Sequence, residues 1–223
     1  MARWQMGSTT GDLGGRQRAR EDESPDSLFY TEPRMVAHID ATAIAQVTAI
    51  YRELLAPLSP HGRILDLMSS RYSHLPTDLP LAEVVGLGMN ADELAENPQL
   101  TSSVVHDLNA DPRLPFDDES FDAALNTVSV QYLTQPVAVF RDMARILKPG
   151  APYAVVFSNR MFPTKAVLAW RMRDDQGHLA LVRDYFAASG LYGEPEVIAR
   201  PSKPGIWFGG GSDPLYAVIA RRA

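Results

Sequence analysis

Apolar residues recur at helical spacing from Ile39 to Leu55, at Ile39, Ile44, Val47, Ile50, Leu54 and Leu55, and predict an amphipathic helix closed by Pro57 and Pro60. Beyond it the pattern changes to short apolar runs bounded by turn or polar residues. Arg63 to Leu67 (RILDL), Glu83 to Gly88 (EVVGLG), Ser103 to Asp107 (SVVHD), Phe121 to Val128 (FDAALNTV) and Tyr153 to Ser158 (YAVVFS) read as five strands buried on both faces. Helical patterns lie between them. Asn90 and Glu93 have capping-box spacing at the head of a short helix, ADELAEN, that ends before Pro98. Pro136 opens Val137 to Leu147, with Val137, Phe140, Met143 and Ile146 on one face, and Lys148-Pro149-Gly150 stops it. Met161 to Tyr185 holds two further helices. Pro195 to Arg200 and Leu215 to Ala220 read as a last pair of strands, joined as a hairpin across Gly209-Gly210-Gly211.

Strands alternating with helices specify an α/β architecture with a mainly parallel sheet and right-handed crossovers. Seven strands are expected, five of them parallel and one of the last two antiparallel, with helices on both faces. Such sheets bind ligands outside their carboxyl-terminal strand ends. The loops after Leu67, Gly88, Asp107, Val128 and Ser158 should therefore gather at one rim. Order is expected to begin near Leu28. Residues 1–26 read as a disordered polar tail, in which the EDE run offsets the RQRAR run, and residues 27–223 as the single domain.

Composition narrows the function. A net charge of -6 disfavours a general nucleic-acid binder. The lack of cysteine excludes thiolate nucleophiles, disulfides and Cys-metal sites, and fits a reducing cytoplasm. No run is long and apolar enough to span a membrane, and the N-terminus lacks a signal-peptide core, so a cytoplasmic protein that binds no membrane is expected. His38, His61, His106 and His178 show no HxxxH or HxH spacing, so no metal is expected. A P-loop, a GxSxG elbow and a dinucleotide-binding GxGxxG are all missing.

The stretch from Gly62 to Arg160 resembles the class I S-adenosylmethionine-dependent methyltransferases, in a divergent, type 11-like form. The most specific pieces are DLNADPRLPFDDESFDAALN, similar to the family's third-strand acid and its passage into strand four, and VFRDMARILKPG, similar to the helix and turn before strand five. The resemblance implies a Rossmann-like methyltransferase fold, S-adenosylmethionine as cofactor and a small-molecule methyl acceptor. It leaves the acceptor, the pathway and the oligomeric state open. Two positions depart from the family pattern. The glycine-rich loop after strand one is replaced by Met68-Ser69-Ser70-Arg71-Tyr72, and Gly88 stands where an acid usually accepts the ribose hydroxyls.

By this resemblance Asp66 organises the methionine end of the cofactor, Asp107 and the Leu108 N–H meet the adenine, Met89 flanks it, and Ser69 and Ser70 contact the cofactor from the loop. Each has a plainer alternative: Asp66 as a strand-end acid tying down the loop, Asp107 as a turn former, Met89 as core, and the serines as loop-shaping groups. Asn90 is read first as a helix cap. His74 is a candidate general base near neutral pH, or else the fixed point of a Ser-His-Leu-Pro turn. Tyr132 is a candidate for orienting a nucleophile, or else packs under the rim. Gln131, Asn159 and Arg160 are candidate substrate contacts, with a surface ion pair as the alternative for Arg160. Tyr30 and Arg34 anchor the N-terminal segment or fold over the site as a lid. The first functional reading is methyl transfer to a small molecule. The second, favoured by Gly88 and the lost glycines, is a non-catalytic member of the fold that binds a metabolite or a protein.

Overall fold

The computed structural model describes residues 14–202 and 212–223. Seven strands form one sheet in the order β3-β2-β1-β4-β5-β7-β6. They are β1 (Arg63–Leu67), β2 (Glu83–Gly88), β3 (Ser102–Val105), β4 (Ala123–Thr127), β5 (Pro152–Phe157), β6 (Glu196–Arg200) and β7 (Leu215–Arg221). Strands β1 to β5 pair in parallel, and β7 runs antiparallel to both β5 and β6. The helices are α1 (Asp26–Phe29), α2 (Ala41–Leu55), α3 (Ala91–Ala95), α4 (Pro136–Ile146), α5 (Leu168–Arg171) and α6 (Asp175–Ser189). Gly190, in the left-handed conformation at φ 72°, ends α6. The glycine loop expected between the last two strands lies outside the described residues.

The alternation of side chains along each strand divides the core in two. In β1, Leu65 and Leu67 join Phe140 and Met143 of α4 and Phe186 of α6, whereas Ile64 joins Val47, Ile50 and Tyr51 of α2 on the other face. Strands β1, β4 and β5 are thus buried on both sides, which is why they read as unbroken apolar runs. Strand β3 departs from that expectation. It is the sheet edge, with Ser102, Ser103 and Val105 exposed, and it ends before His106 and Asp107.

The N-terminal segment corrects a second expectation. Residues 14–26, read from composition as disordered, lie against the body. The Leu168 N–H donates to the Ala19 carbonyl, Ala169 N–H to Gln17, and Asp22 N–H to Thr164. The anchor is ionic. Arg20 Nη1 donates to both oxygens of the buried Asp26, at 2.7 and 2.9 Å. Lys165, whose side chain is 1% exposed, donates to the Ser24 carbonyl at 2.6 Å and lies 3.3 Å from Asp26. A polar segment with few apolar residues is held here by an ion pair within it and by Lys165, 141 residues from Ser24, which composition does not reveal. The folded unit therefore includes residues 14–26. Residues 1–13 of the expected tail lie outside the described residues.

Candidate functional site

The loops at the carboxyl ends of β1 to β5 meet the segment from Asp26 to His38 around a cavity of about 230 Å³. Asp66, Ser69, Ser70, His74, Met89, Asp107, Leu108, Tyr132 and Arg160 all reach it. Gln131 and Asn159 do not. Gln131 is buried and donates from Nε2 to the carbonyls of Val128 and Arg160, so it braces the rim from below. Asn159 is turned out and exposed. Both are corrections to the expected substrate contacts. They arise because successive residues after a strand end take different directions.

The first loop is organised by Asp66. Its Oδ2 accepts from Ser69 Oγ and from Ser73 Oγ, both at 2.6 Å. Burial pushes its carboxyl up to about 6 despite these two hydrogen bonds. Asp66 therefore does tie down the loop, and does so at the cavity wall. The missing glycines have a structural counterpart. Ser69 N–H donates to the Leu87 carbonyl, continuing the strand pairing. The Ser69 carbonyl oxygen then lies where a side chain on Gly88 would start, 2.2 Å from an ideal Cβ. The loop has settled onto strand two, and only glycine leaves room for it. Met68, His74 and Val128 have φ values of 56°, 57° and 46°, and all three border the cavity. Positive φ is costly for such side chains, and here it is concentrated at the site. Tyr72 is 44% exposed and leaves the cavity open.

The second loop replaces what Gly88 lacks. Asn90 caps α3, accepting from Asp92 N–H and Glu93 N–H, and its Nδ2 donates to the carbonyls of Tyr30 and Thr31. The predicted capping box is only half made. Glu93 reaches away from Asn90, accepting from Arg34 N–H and from Ser70 Oγ, each at 2.6 Å. A buried carboxylate thus stands on the cavity wall, supplied by the first turn of α3 instead of the strand end. The sequence signal for it was read as capping alone.

On the third loop, Asp107 Oδ1 accepts from Asn109 N–H at 2.9 Å and Ala110 N–H at 3.2 Å, forming the expected turn. Leu108 is buried and Met89 half-buried beside it. Tyr132 is buried. Its hydroxyl accepts from Phe162 N–H at 2.9 Å and its ring stacks on Phe162, so it positions the loop after β5. Arg160 Nε pairs with Asp213 at 2.8 Å, the ion-pair alternative. His74 does not meet the expectation of a base tuned near neutrality. Burial, with His38 nearby, holds it down at about 4, so it is neutral at pH 7 and a weak proton acceptor. His38, also lowered by burial, and Phe162 border the cavity too and carried no motif in the sequence. Among the described residues no cluster of three or more His, Cys, Asp or Glu is arranged to hold a metal ion. Among them, too, no helix is long and apolar enough to cross a membrane.

Comparison with known proteins gives a consistent picture. Residues 69–155 match the model of a family described as a methyltransferase domain. Over 68 residues the chain is 38% identical to the biotin biosynthesis bifunctional protein BioHC of Teredinibacter turnerae. That match takes in 30% of this chain and only 12% of the relative. Among solved structures, an S-adenosylmethionine-dependent methyltransferase from Mesorhizobium loti superposes with a TM-score of 0.52 at 17% identity, over 78% of this chain and 96% of that one. The geranyl diphosphate C-methyltransferase of Streptomyces coelicolor, solved with Mg2+, geranyl diphosphate and S-adenosyl-L-homocysteine, gives 0.51 at 14%, over 80% and 77%. At these identities the superpositions establish the fold, which is that of the class I methyltransferases.

Proposed function

We propose that this chain, whose segment 69–155 matches the methyltransferase-domain family, binds S-adenosylmethionine in the rim cavity and transfers its methyl group to a small-molecule acceptor. The observation that carries this reading is the convergence of Asp66, Met89, Asp107 and Leu108, from three separate loops, on one open cavity. The residues fit the cofactor's parts. Asp66 can face the amino group of the methionine end, Met89 and Leu108 form apolar walls for the adenine, and Asp107 can accept from its amino group. Glu93 stands in for the strand-end acid at the ribose, because Ser69 occupies the space beside Gly88. The bound cofactor supplies an electrophilic methyl group. The protein's work is alignment and exclusion of water, for which the segment over the cavity is suited.

Calorimetry of the purified chain with S-adenosylmethionine and S-adenosylhomocysteine tests the proposal, with micromolar to submillimolar binding of both expected. The closed packing of Ser69 on Gly88 favours a second reading, a non-catalytic binding member of the fold. Absence of heat from either form at millimolar concentration supports that reading and overturns the first.

A further inference from the structure

Two cationic side chains border the cavity, Arg34 and Arg160. Arg160 is paired with Asp213. Arg34 is not: among the described residues no carboxylate lies within ion-pair distance of its guanidinium. That group lies against three rings, with Cζ 4.4 Å from the Phe29 centroid, 5.2 Å from Phe162 and 5.5 Å from Tyr30. Nη2 donates to the Phe29 carbonyl at 2.9 Å. Nη1 is buried and has no hydrogen-bond partner. Ring faces partly offset the desolvation of a cation, but they do not accept its N–H hydrogens as an oxygen does. A guanidinium at the wall of a cavity, with one donor unused beneath its neighbouring side chains, is a site for an oxyanion once that cover shifts.

Its position in the rim says which molecule brings that anion. Phe162 follows β5 and is fixed by the Tyr132 hydroxyl after β4. The adenosine contacts Met89, Asp107 and Leu108 follow β2 and β3, in the other half of the sheet order. The guanidinium, against Phe162, thus faces the β4–β5 half, while the Arg34 backbone N–H is held from the other half by Glu93 of α3. We infer that Arg34 anchors an anionic acceptor, one carrying a carboxylate or phosphate, with Phe162 and His38 against its apolar part. This rests on the methyltransferase reading for the word acceptor, though anion binding at Arg34 does not depend on it.

The test uses the full chain with and without saturating S-adenosylhomocysteine. Acetate, inorganic phosphate and phenylacetate are titrated by NMR, with phenylacetamide as the uncharged control. At least one anion is expected to bind with a dissociation constant of roughly millimolar, and phenylacetamide at least tenfold more weakly than phenylacetate. Arg34→Met should abolish anion binding, and Arg34→Lys, which keeps charge but loses the fork, should weaken it severalfold. S-adenosylhomocysteine affinity should stay within twofold in both. Should Arg34→Met fail to fold, Arg34→Lys carries the comparison. Failure of all three anions at tens of millimolar, equal binding of acid and amide, or anion binding unchanged by Arg34→Met overturns the inference. So does a loss of S-adenosylhomocysteine affinity in the Arg34 variants, which would make Arg34 the holder of the cofactor's own carboxylate. A chain that binds anions through Arg34 but no cofactor would sink only the methyltransferase reading.

Discussion

The carbonyl oxygen of Ser69 occupies the space in which a side chain on Gly88 would begin, 2.2 Å from an ideal Cβ. The loop after β1 and the end of β2 are therefore one packed unit. Gly88 is not among the residues with positive φ, so its requirement is room and not backbone freedom.

Restoring the family's acid at this position is thus expected to harm the protein. Gly88→Asp and Gly88→Ala should both lower stability, by about 1–3 kcal/mol, since a backbone carbonyl must move in each. Both should weaken cofactor binding through displacement of Ser69 and Ser70. Thermal melts and calorimetry with S-adenosylhomocysteine check this, and tighter binding by Gly88→Asp would show that the loop yields without cost.

Asp66 and His74 should give opposite pH dependences. The Asp66 carboxyl rises from its ordinary 3.8 to about 6 on folding, so between these values the folded chain holds a proton the unfolded chain has lost. Stability on this account falls as pH rises through that window, by about 3 kcal/mol in total. His74 falls from 6.5 to about 4, so the unfolded chain holds the extra proton and stability rises with pH through nearly the same window. The two slopes largely cancel in the parent. Relative to the parent, Asp66→Asn should make the slope more rising and His74→Gln more falling in urea titrations from pH 4 to 7. Parallel slopes in the two variants would contradict this.

The clasp of Arg20, Asp26 and Lys165 should hold the N-terminal segment over the cavity. Asp26→Ala removes the carboxylate that Arg20, 8% exposed, and Lys165, 1% exposed, share, leaving them Glu23 at 3.5 Å and Asp22 at 3.2 Å, and losing such charge-assisted hydrogen bonds costs about 1.5–3 kcal/mol. A melting temperature lower by roughly 5 °C is expected. Protease cleavage between residues 14 and 38 should become fast while the sheet stays protected. Unchanged melting and cleavage would mean that the segment is dispensable.

At Asp107 the turn and the proposed cofactor contact can be separated. Asp107→Ala should weaken S-adenosylhomocysteine binding some tenfold to a hundredfold, or about 1–3 kcal/mol. Asp107→Asn keeps an oxygen for the Asn109 and Ala110 N–H groups but presents an amide to the adenine amino group. It should preserve stability and still lose affinity. Full affinity in the Asn variant would leave Asp107 with only its turn.

The sequence by itself determined the sheet and its helices. Apolar runs such as RILDL and YAVVFS persist because β1 and β5 are covered on both faces, and the cap at Asn90 and the helix-opening Pro136 are local chemistry. The positions of Asp66, Asp107 and Leu108 at the rim were legible for the same reason, since residues that close or follow a parallel strand gather there. Tertiary structure decided the rest. Glu93 left its capping box for Arg34 and Ser70. Residues 14–26 were ordered by Asp26 and Lys165, Gln131 and Asn159 turned from the cavity, and the His74 imidazole was kept neutral by burial. Most of these outcomes depend on a partner far along the chain or on how much water a fold excludes, and those at Gln131 and Asn159 on the direction each takes after its strand end. None of these is written in the spacing of residues along the chain.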